Sequence, residues 1–182
     1  EIINKECIHE LLGFCMRDDV GAVGARLYFD DNTIQHAGVV VGLGGIAGHI
    51  FLNTPYDQVG YFARIITQQD YSAVTAACVM VKRVVFESIN GFDTELEVAF
   101  NDVDLCLRIR EAGYLVVYNP YAELYHYESK SRGSDNTPDK IERFNRETAF
   151  FEKRWEKILR VGDPYYNRNF AIDKFDCSIR NV

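Results

Sequence analysis

The sequence predicts an α/β fold that is built on a mixed sheet. Apolar runs of strand length alternate with segments in which apolar residues recur at helical spacing. Glycine, asparagine and aspartate residues separate these segments, as is typical of turns and helix ends. The chain has 182 residues, of which 47% are hydrophobic, so it is long enough to bury a core without disulfides.

The first half of the chain is predicted to hold one helix followed by extended segments. Asn4 is a candidate N-cap for a helix that runs to about Met16, with Ile8, Leu11 and Leu12 at helical spacing. Residues 42–48 contain four glycines and predict a loop, but not in a βαβ unit, which disfavours a dinucleotide site. The segments that favour extended structure are 20–29, 33–41, 62–69 and 75–81.

The second half is predicted to combine three helices with two strands. A short helix over residues 82–89 ends at Asn90-Gly91, and a second helix begins with Asn101 as its cap and ends at Gly113. Two strands, 115–118 and 122–127, are separated by Asn119-Pro120. The longest helix covers residues 140–159, and its predicted buried side chains are Ile141, Phe144, Phe151, Trp155 and Leu159. We expect two parts. The first is residues 1–137. The second, residues 138–182, is a long helix with an aromatic tail that packs on the first.

Composition excludes several classes of function. The net charge is −7, so the excess of lysine and arginine on which duplex nucleic-acid binding depends is missing. No window of 18 apolar residues predicts a membrane-spanning helix. The five cysteines are odd in number and include no CxxC pair, which favours buried reduced thiols over disulfides or zinc.

The candidate chemistry lies at the start of the predicted helix that Asn101 caps. Asp102 falls in its first turn, where free backbone N–H groups favour a negative charge, and an ionised carboxylate can act as a general base. Asp104 lies about 200° further round the helix, so the two carboxylates face different ways. Asp104 is four residues before Arg108, a spacing that allows an ion pair. The spacing alone leaves open that Asn101 and Asp102 only cap the helix.

Several motifs occur in an order that resembles one protein family. They are Gly91-Phe92-Asp93, the run of residues 101–114, the run of residues 120–129, and the segments 20–27, 34–39, 72–83 and 163–169. Together they resemble the acceptor-side portion of a bacterial inverting family 2 glycosyltransferase. The resemblance covers nearly the whole chain. It implies a partial GT-A fold, the nucleotide-diphospho-sugar transferase fold, without its N-terminal nucleotide-binding half.

The resemblance implies a function for the longer protein. Such an enzyme, of the hexosyltransferase type, transfers a sugar from a nucleotide-sugar donor to a hydroxyl of a saccharide or lipid-linked acceptor, with inversion. The setting implied is cell-surface polysaccharide synthesis in the cytoplasm, with peripheral association at the inner face of the membrane. The DxD motif of the family is not found at the end of a predicted strand, and Asp18-Asp19 and Asp30-Asp31 are adjacent acids in turns. We therefore expect the chain alone to be inactive and to self-associate through a truncated sheet.

The resemblance also implies roles for individual residues. It makes Asp102 the catalytic base and His126 a ligand of a divalent cation, Mn²⁺ or Mg²⁺, in the full-length enzyme, with none expected in this chain alone. Lys130 and Arg132 are expected in a loop that contacts the donor diphosphate. The residues expected near the acceptor are Thr75, Ala76, Ala77, Asp93, Asn101 and Asp104.

The sequence also allows other interpretations of the chain and of its candidate site residues. The chain could be a non-catalytic carbohydrate-binding or scaffold module of the same fold. His126 could instead be a strand histidine that is bonded to a backbone carbonyl, and Lys130 and Arg132 could lie in a solvated loop. His36 and His49, on either side of the glycine-rich segment, fit either an acceptor loop or ordinary satisfied or solvated histidines.

Overall fold

A computed structural model describes residues 1–127 and 137–180. It confirms the α/β class and the mixed sheet. The helices are α1 (Cys7–Cys15), α2 (Arg83–Ser88), α3 (Asn101–Glu111), α4 (Pro138–Arg154) and α5 (Glu156–Val161), with a 3₁₀ turn at Tyr61–Ala63. The strands are β1 (Val20–Tyr28), β2 (Ile34–His36), β3 (Val39–Val41), β4 (Ala47–His49), β5 (Gln69–Asp70), β6 (Val79–Val81) and β7 (Leu115–Tyr125).

The sheet is organised around the parallel pair β1 and β7. β2 and β6 pair antiparallel with β1, while β5 pairs antiparallel with β7. Every residue of β1 except Arg26 is buried, as expected for a central strand that is covered on both faces. β3 and β4 form a separate antiparallel hairpin, so the glycine-rich segment predicted as a loop is partly a strand.

β7 is one strand where the sequence predicts two. Ala25 of β1 pairs with Asn119 and the next residue, Arg26, pairs with Glu123, so residues 120–122 of β7 have no counterpart in β1. Pro120 lies in this bulge, where its missing N–H group costs no ladder hydrogen bond. The Asn119 side chain is buried and donates to the carbonyl oxygen of Glu10 in α1 at 2.9 Å. The predicted break is therefore a bulge that α1 covers.

The predicted strand 33–41 is interrupted after His36. Gly38 has a φ of +110°, and a Cβ atom there would lie 2.4 Å from a ring carbon of Tyr71. Both the backbone conformation and the close ring require glycine, so the chain turns and β3 leaves the main sheet. Of the predicted strand 75–81, only Val79–Val81 pairs with β1. The predicted extended segment 62–69 instead begins within the 3₁₀ turn, and only its last residue, Gln69, lies in a strand.

The long C-terminal helix is broken at Trp155, whose φ of −106° separates α4 from α5. The predicted burial of Phe151 and Trp155 is confirmed, and both belong to the main core cluster. Ile141 and Phe144 are instead half exposed, at 51% and 50% of their full surface. The C-terminal end of α4 thus packs on the core of the molecule, whereas its first turns do not.

α1 begins three residues later than the predicted cap. The Asn4 side chain donates to the carbonyl oxygen of Tyr121 at 2.8 Å and does not cap the helix. Cys7, Leu11 and Cys15 are buried, while the neighbouring stripe of Ile8, Leu12 and Met16 is exposed. Self-association of the chain stays a prediction.

The cysteines and the helices agree with two further expectations from the sequence. All five cysteines are free, and four of them are buried. Within residues 1–127 and 137–180, no helix combines the length and the apolar character needed to cross a bilayer.

Candidate active site

Asp102 is brought to the surface by the packing of α3 against the loop of residues 72–77. The backbone N–H of Ala76 donates to Asp102 Oδ2 at 3.0 Å. One helical turn further on, the backbone N–H of Val74 donates to Cys106 Sγ at 3.5 Å. Positions 102 and 106 share a face of the helix, so that face lies along the loop. The structure therefore places Asp102 beside the predicted residues Thr75, Ala76 and Ala77.

The Asp102 carboxylate has a fixed orientation at the N-terminus of α3. Its Oδ1 accepts the backbone N–H of Val103 at 2.9 Å, while Oδ2 accepts that of Ala76. The side chain is half buried, and each carboxylate oxygen carries a second lone pair that can accept a proton. These features are those of a general base in an accessible position.

Asn101 does not cap the helix as its position predicts. The capping position is taken by Phe100, which has a left-handed φ of +59° and no side-chain hydrogen bond to the helix. The Asn101 amide instead donates to the carbonyl oxygen of Glu97 at 3.4 Å. The Phe100 ring lies 5.2 Å from that of Phe151, so packing holds the backbone in this conformation. An acceptor contact of Asn101 stays a prediction.

Asp104 is part of a buried network on the opposite side of α3. Its side chain has no exposed surface and accepts from Arg108 Nε at 2.7 Å, Arg154 Nη1 at 2.9 Å and Trp155 Nε1 at 3.0 Å. The predicted pair with Arg108 is confirmed. The predicted acceptor contact of Asp104 is wrong, because three donors already occupy a carboxylate that no ligand can reach.

Asp93 is an outer member of the same network. Arg154 Nη1 lies 2.8 Å from Asp93 Oδ2, and the backbone N–H of Glu95 donates to Oδ1 at 2.9 Å. The Glu95 hydrogen bond, together with Arg154, lowers the pKa of Asp93. Both oxygens thus stabilise the loop before α3, and the predicted acceptor contact of Asp93 gains no support from this geometry.

A cleft of about 430 Å³ opens beside the loop that holds Asp102. Thr75 lines it, and the next residue, Ala76, holds the Asp102 carboxylate. Asp102 itself is not among the lining residues, but its carboxylate is bonded to the residue that follows Thr75. The lining residues are Phe29, Gln35, Ala47, Gly48, His49, Leu52, Thr75, His126 and Phe175.

The C-terminal tail forms one wall of this cleft. The Phe175 ring covers the β3–β4 hairpin, where a Cβ atom on Gly48 would lie 2.8 Å from a ring carbon. The tail is fastened by two backbone hydrogen bonds, from Gly44 to Ile172 and from Phe51 to Phe175. Glycine at position 48 therefore leaves room for the ring. The sequence reasoning missed Phe29, Leu52 and Phe175, because nothing local links the tail to the hairpin.

Two histidines line the cleft, and both are bonded to Gln35. His126 Nδ1 lies 2.8 Å from Gln35 Oε1, and His49 Nδ1 lies 2.7 Å from the Gln35 backbone oxygen. The His126 ring is therefore not bonded to a backbone carbonyl, which was the alternative drawn from the sequence. His49 is half exposed on β4, as an acceptor-loop residue needs to be.

His36 lies behind this pair in the core. It has no exposed surface, and neither ring nitrogen has a hydrogen-bond partner among residues 1–127 and 137–180. Its ring meets that of His49 edge-on at 4.9 Å. Burial lowers the pKa of His36 well below its usual 6.5, and the neighbouring His49 adds to this shift. His36 is thus neither satisfied nor solvated, contrary to the sequence-based alternative.

The buried His36 predicts a loss of stability in acid. The folded state keeps His36 neutral, whereas the unfolded chain binds a proton below its usual pKa of 6.5. The unfolded state therefore binds more protons there, and the free energy of unfolding falls by about 1.4 kcal/mol per pH unit below that point. Urea unfolding of the wild type and of His36→Phe across this range measures the difference. An equal pH slope in the two proteins contradicts the prediction.

Sequence comparisons relate the chain to much longer bacterial proteins. The uncharacterized protein y4gI of Sinorhizobium fredii is 50% identical over 177 residues, 97% of this chain and 19% of that protein. The O-antigen biosynthesis protein RfbC of Myxococcus xanthus is 38% identical over 181 residues, 99% of this chain and 14% of that protein. The N-acetylglucosaminyl-diphospho-decaprenol L-rhamnosyltransferase of Mycobacterium tuberculosis is 39% identical over 62 residues, 34% of this chain and 20% of the enzyme.

These relatives support a fragment of a glycosyltransferase-family protein. No protein-family model matches it. The chain spans no more than 20% of the length of these relatives. It therefore matches only a part of these longer proteins.

The described part of the chain does not form a complete cation site. Among residues 1–127 and 137–180, no group of three or more His, Cys, Asp or Glu side chains could hold a metal ion. His126 offers one nitrogen, because Gln35 occupies the other. The predicted diphosphate-loop residues Lys130 and Arg132 lie outside the described residues.

Proposed function

We propose that the chain is the acceptor-side part of an inverting family 2 glycosyltransferase with a GT-A fold. The longer protein would transfer a hexose-type sugar from a nucleotide-sugar donor to a hydroxyl of a saccharide or lipid-linked acceptor. Cell-surface polysaccharide synthesis at the inner face of the membrane is the proposed setting. Relatives that are named for O-antigen biosynthesis and for rhamnosyl transfer support this proposal.

The observation that carries the proposal is the placement of Asp102. Its carboxylate is oriented by two backbone N–H groups, one of which belongs to Ala76, the residue that follows the cleft-lining Thr75. A hydroxyl becomes acidic as its oxygen bonds to the anomeric carbon, so a carboxylate can take the proton late in the step. A base held in one orientation needs little reorganisation when that proton moves.

The proposed transfer is a direct displacement at the anomeric carbon. The acceptor oxygen uses a lone pair to form a bond to the anomeric carbon while Asp102 takes its proton. The bond between that carbon and the diphosphate oxygen breaks, and its electron pair leaves with the diphosphate. Attack and departure occur on opposite faces of the carbon, which inverts its configuration.

The polar lining of the cleft suits an acceptor saccharide. Thr75 and the two histidines can exchange hydrogen bonds with hydroxyls. Phe29, Leu52 and Phe175 supply apolar surface for the ring carbons. In this proposal the divalent cation belongs to the longer protein, and His126 is one of its ligands there.

A transfer assay on two proteins tests the proposal. The 182-residue chain and a longer protein that contains it are incubated with nucleotide sugars, a divalent cation and saccharide or lipid-linked acceptors. We expect a product of inverted anomeric configuration by NMR from the longer protein and no turnover from the chain alone, because the described residues lack a complete cation site.

Each arm of this assay can fail by itself. Metal-dependent transfer by the chain alone would show that it already contains a full active site. Retention of configuration by the longer protein would exclude a direct displacement with Asp102 as the base. Saccharide binding without transfer by the longer protein would favour the non-catalytic module.

A further inference from the structure

Gln35 connects the two histidines of the cleft through three separate polar groups. It lies on β2 and is 4% exposed. Its side-chain oxygen bonds to His126 Nδ1, its side-chain nitrogen donates to the His126 backbone oxygen at 3.2 Å, and its backbone oxygen bonds to His49 Nδ1. One buried residue thus contacts both imidazole rings.

These contacts determine the orientation of the Gln35 amide. The His126 backbone oxygen is an acceptor only, so the amide group that faces it must be the NH₂. The amide oxygen then necessarily faces His126 Nδ1. An amide oxygen cannot donate, so Nδ1 of a neutral His126 must carry the proton.

The same reasoning applies to His49 with a different partner. Its Nδ1 lies 2.7 Å from a backbone oxygen, which also accepts only, so Nδ1 carries the proton here too. Both rings line the cleft. In the neutral form, each therefore keeps its lone pair on Nε2.

We propose that Gln35 is a positioning residue that fixes His126 as the Nδ1–H tautomer and thereby makes its Nε2 an electron-pair donor in the cleft. Without the side chain of Gln35, the proton of His126 is free to occupy either nitrogen. In the Nε2–H tautomer, the same ring position becomes a hydrogen-bond donor, and it can neither accept from a ligand hydroxyl nor bind a cation. The tautomer of His126 does not depend on the proposed function. Only the identity of the ligand that uses the Nε2 lone pair rests on it.

The tautomer can be measured directly in the 182-residue chain. Long-range ¹H–¹⁵N NMR spectra distinguish a protonated from an unprotonated imidazole nitrogen, and about pH 8 is suitable because histidine is ordinarily neutral there. In the wild type, we expect His126 and His49 to be Nδ1–H. In Gln35→Met, which keeps the length but loses the amide, His126 should become a mixture of tautomers.

His49 provides an internal control in the same spectrum. Its partner is the backbone oxygen of residue 35, which the substitution keeps, so His49 should stay Nδ1–H in Gln35→Met. General loosening of the cleft would change both rings, and that result would overturn the inference. A His126 that stays Nδ1–H in this variant, or is Nε2–H in the wild type, would also overturn it. Gln58→Met, at an exposed loop position, is the matched control.

A second variant covers the case in which Gln35→Met does not fold. Gln35→Glu keeps an acceptor opposite His126 Nδ1 but loses the donor to the His126 backbone oxygen. We expect Nδ1 of His126 to stay protonated in this variant, and an unprotonated Nδ1 would overturn the inference. The spectra require no turnover, so a longer protein that fails to transfer sugar would refute the proposed function without affecting this result.

Discussion

Asp102→Asn in a longer protein that contains this chain is expected to abolish sugar transfer while leaving donor binding intact. The asparagine amide can still accept the backbone N–H of Ala76, so the loop and α3 keep their contact. It cannot take the proton of the acceptor hydroxyl. General bases contribute about 10²- to 10⁴-fold to enzymatic rates, and we expect kcat to fall by that factor.

The measurement combines steady-state kinetics with equilibrium binding of the nucleoside diphosphate. Donor affinity should be unchanged in Asp102→Asn, because the substitution removes a proton acceptor and no donor contact. Glu111→Gln is the matched control, since it neutralises an exposed carboxylate at the other end of the same helix. A variant that keeps wild-type kcat would exclude Asp102 as the base. A protein that loses donor binding would point to a damaged fold instead.

The sequence was sufficient to predict the α/β class and the central apolar strand, because both follow from local patterns. The nine residues of β1 are apolar apart from Arg26, and Arg26 is also the one residue of the strand that is not fully buried. The helix that became α3 was predictable from its periodicity, although it begins at Asn101 and Phe100 takes the capping position predicted for Asn101. These features depend on residues that are close together in the chain, which is why a single sequence reveals them.

The errors arise where distant residues decide the structure. β7 continues through Pro120 because a bulge opposite β1 accommodates the proline. The helix predicted over 140–159 breaks at Trp155, whose indole N–H donates to Asp104, fifty-one positions earlier in the chain. Neither the pairing register nor this hydrogen bond has a local signal in the sequence.

In the candidate site, too, residues within a sequence motif were predictable, whereas contacts between distant residues were not. Asp102 and the loop at Thr75 were identified through motif resemblance, and the structure brings them together through Ala76. The role of Gln35 was missed, because a glutamine within an apolar strand gives no indication of which histidine it will meet. Asp104 was assigned to the acceptor because it shares a motif with Asp102, although the two side chains lie on different sides of the helix.

Asp104→Asn is expected to cause the largest loss of stability among single substitutions near the site. Its carboxylate joins α3 to the end of α4 through Arg108, Arg154 and Trp155, and it has no contact with water. Asparagine keeps one acceptor oxygen but removes the negative charge, which leaves two guanidinium groups without their common partner. Removing one member of a buried ion pair costs about 3 kcal/mol or more, and we expect the free energy of unfolding to fall by that amount.

Urea unfolding of the 182-residue chain measures this change, with Asp19→Asn as the matched control. Asp19 also accepts from an arginine, Arg17, at 2.7 Å, but about half of each side chain is exposed to water. Water solvates both charges after that substitution, so the control should lose far less stability than Asp104→Asn. Equal losses in the two variants would mean that the buried network does not stabilise the junction of α3 and α4. Unequal losses in the expected order would assign Asp104 to the structure and leave Asp102 as the carboxylate in the first turn of α3 that is available for chemistry.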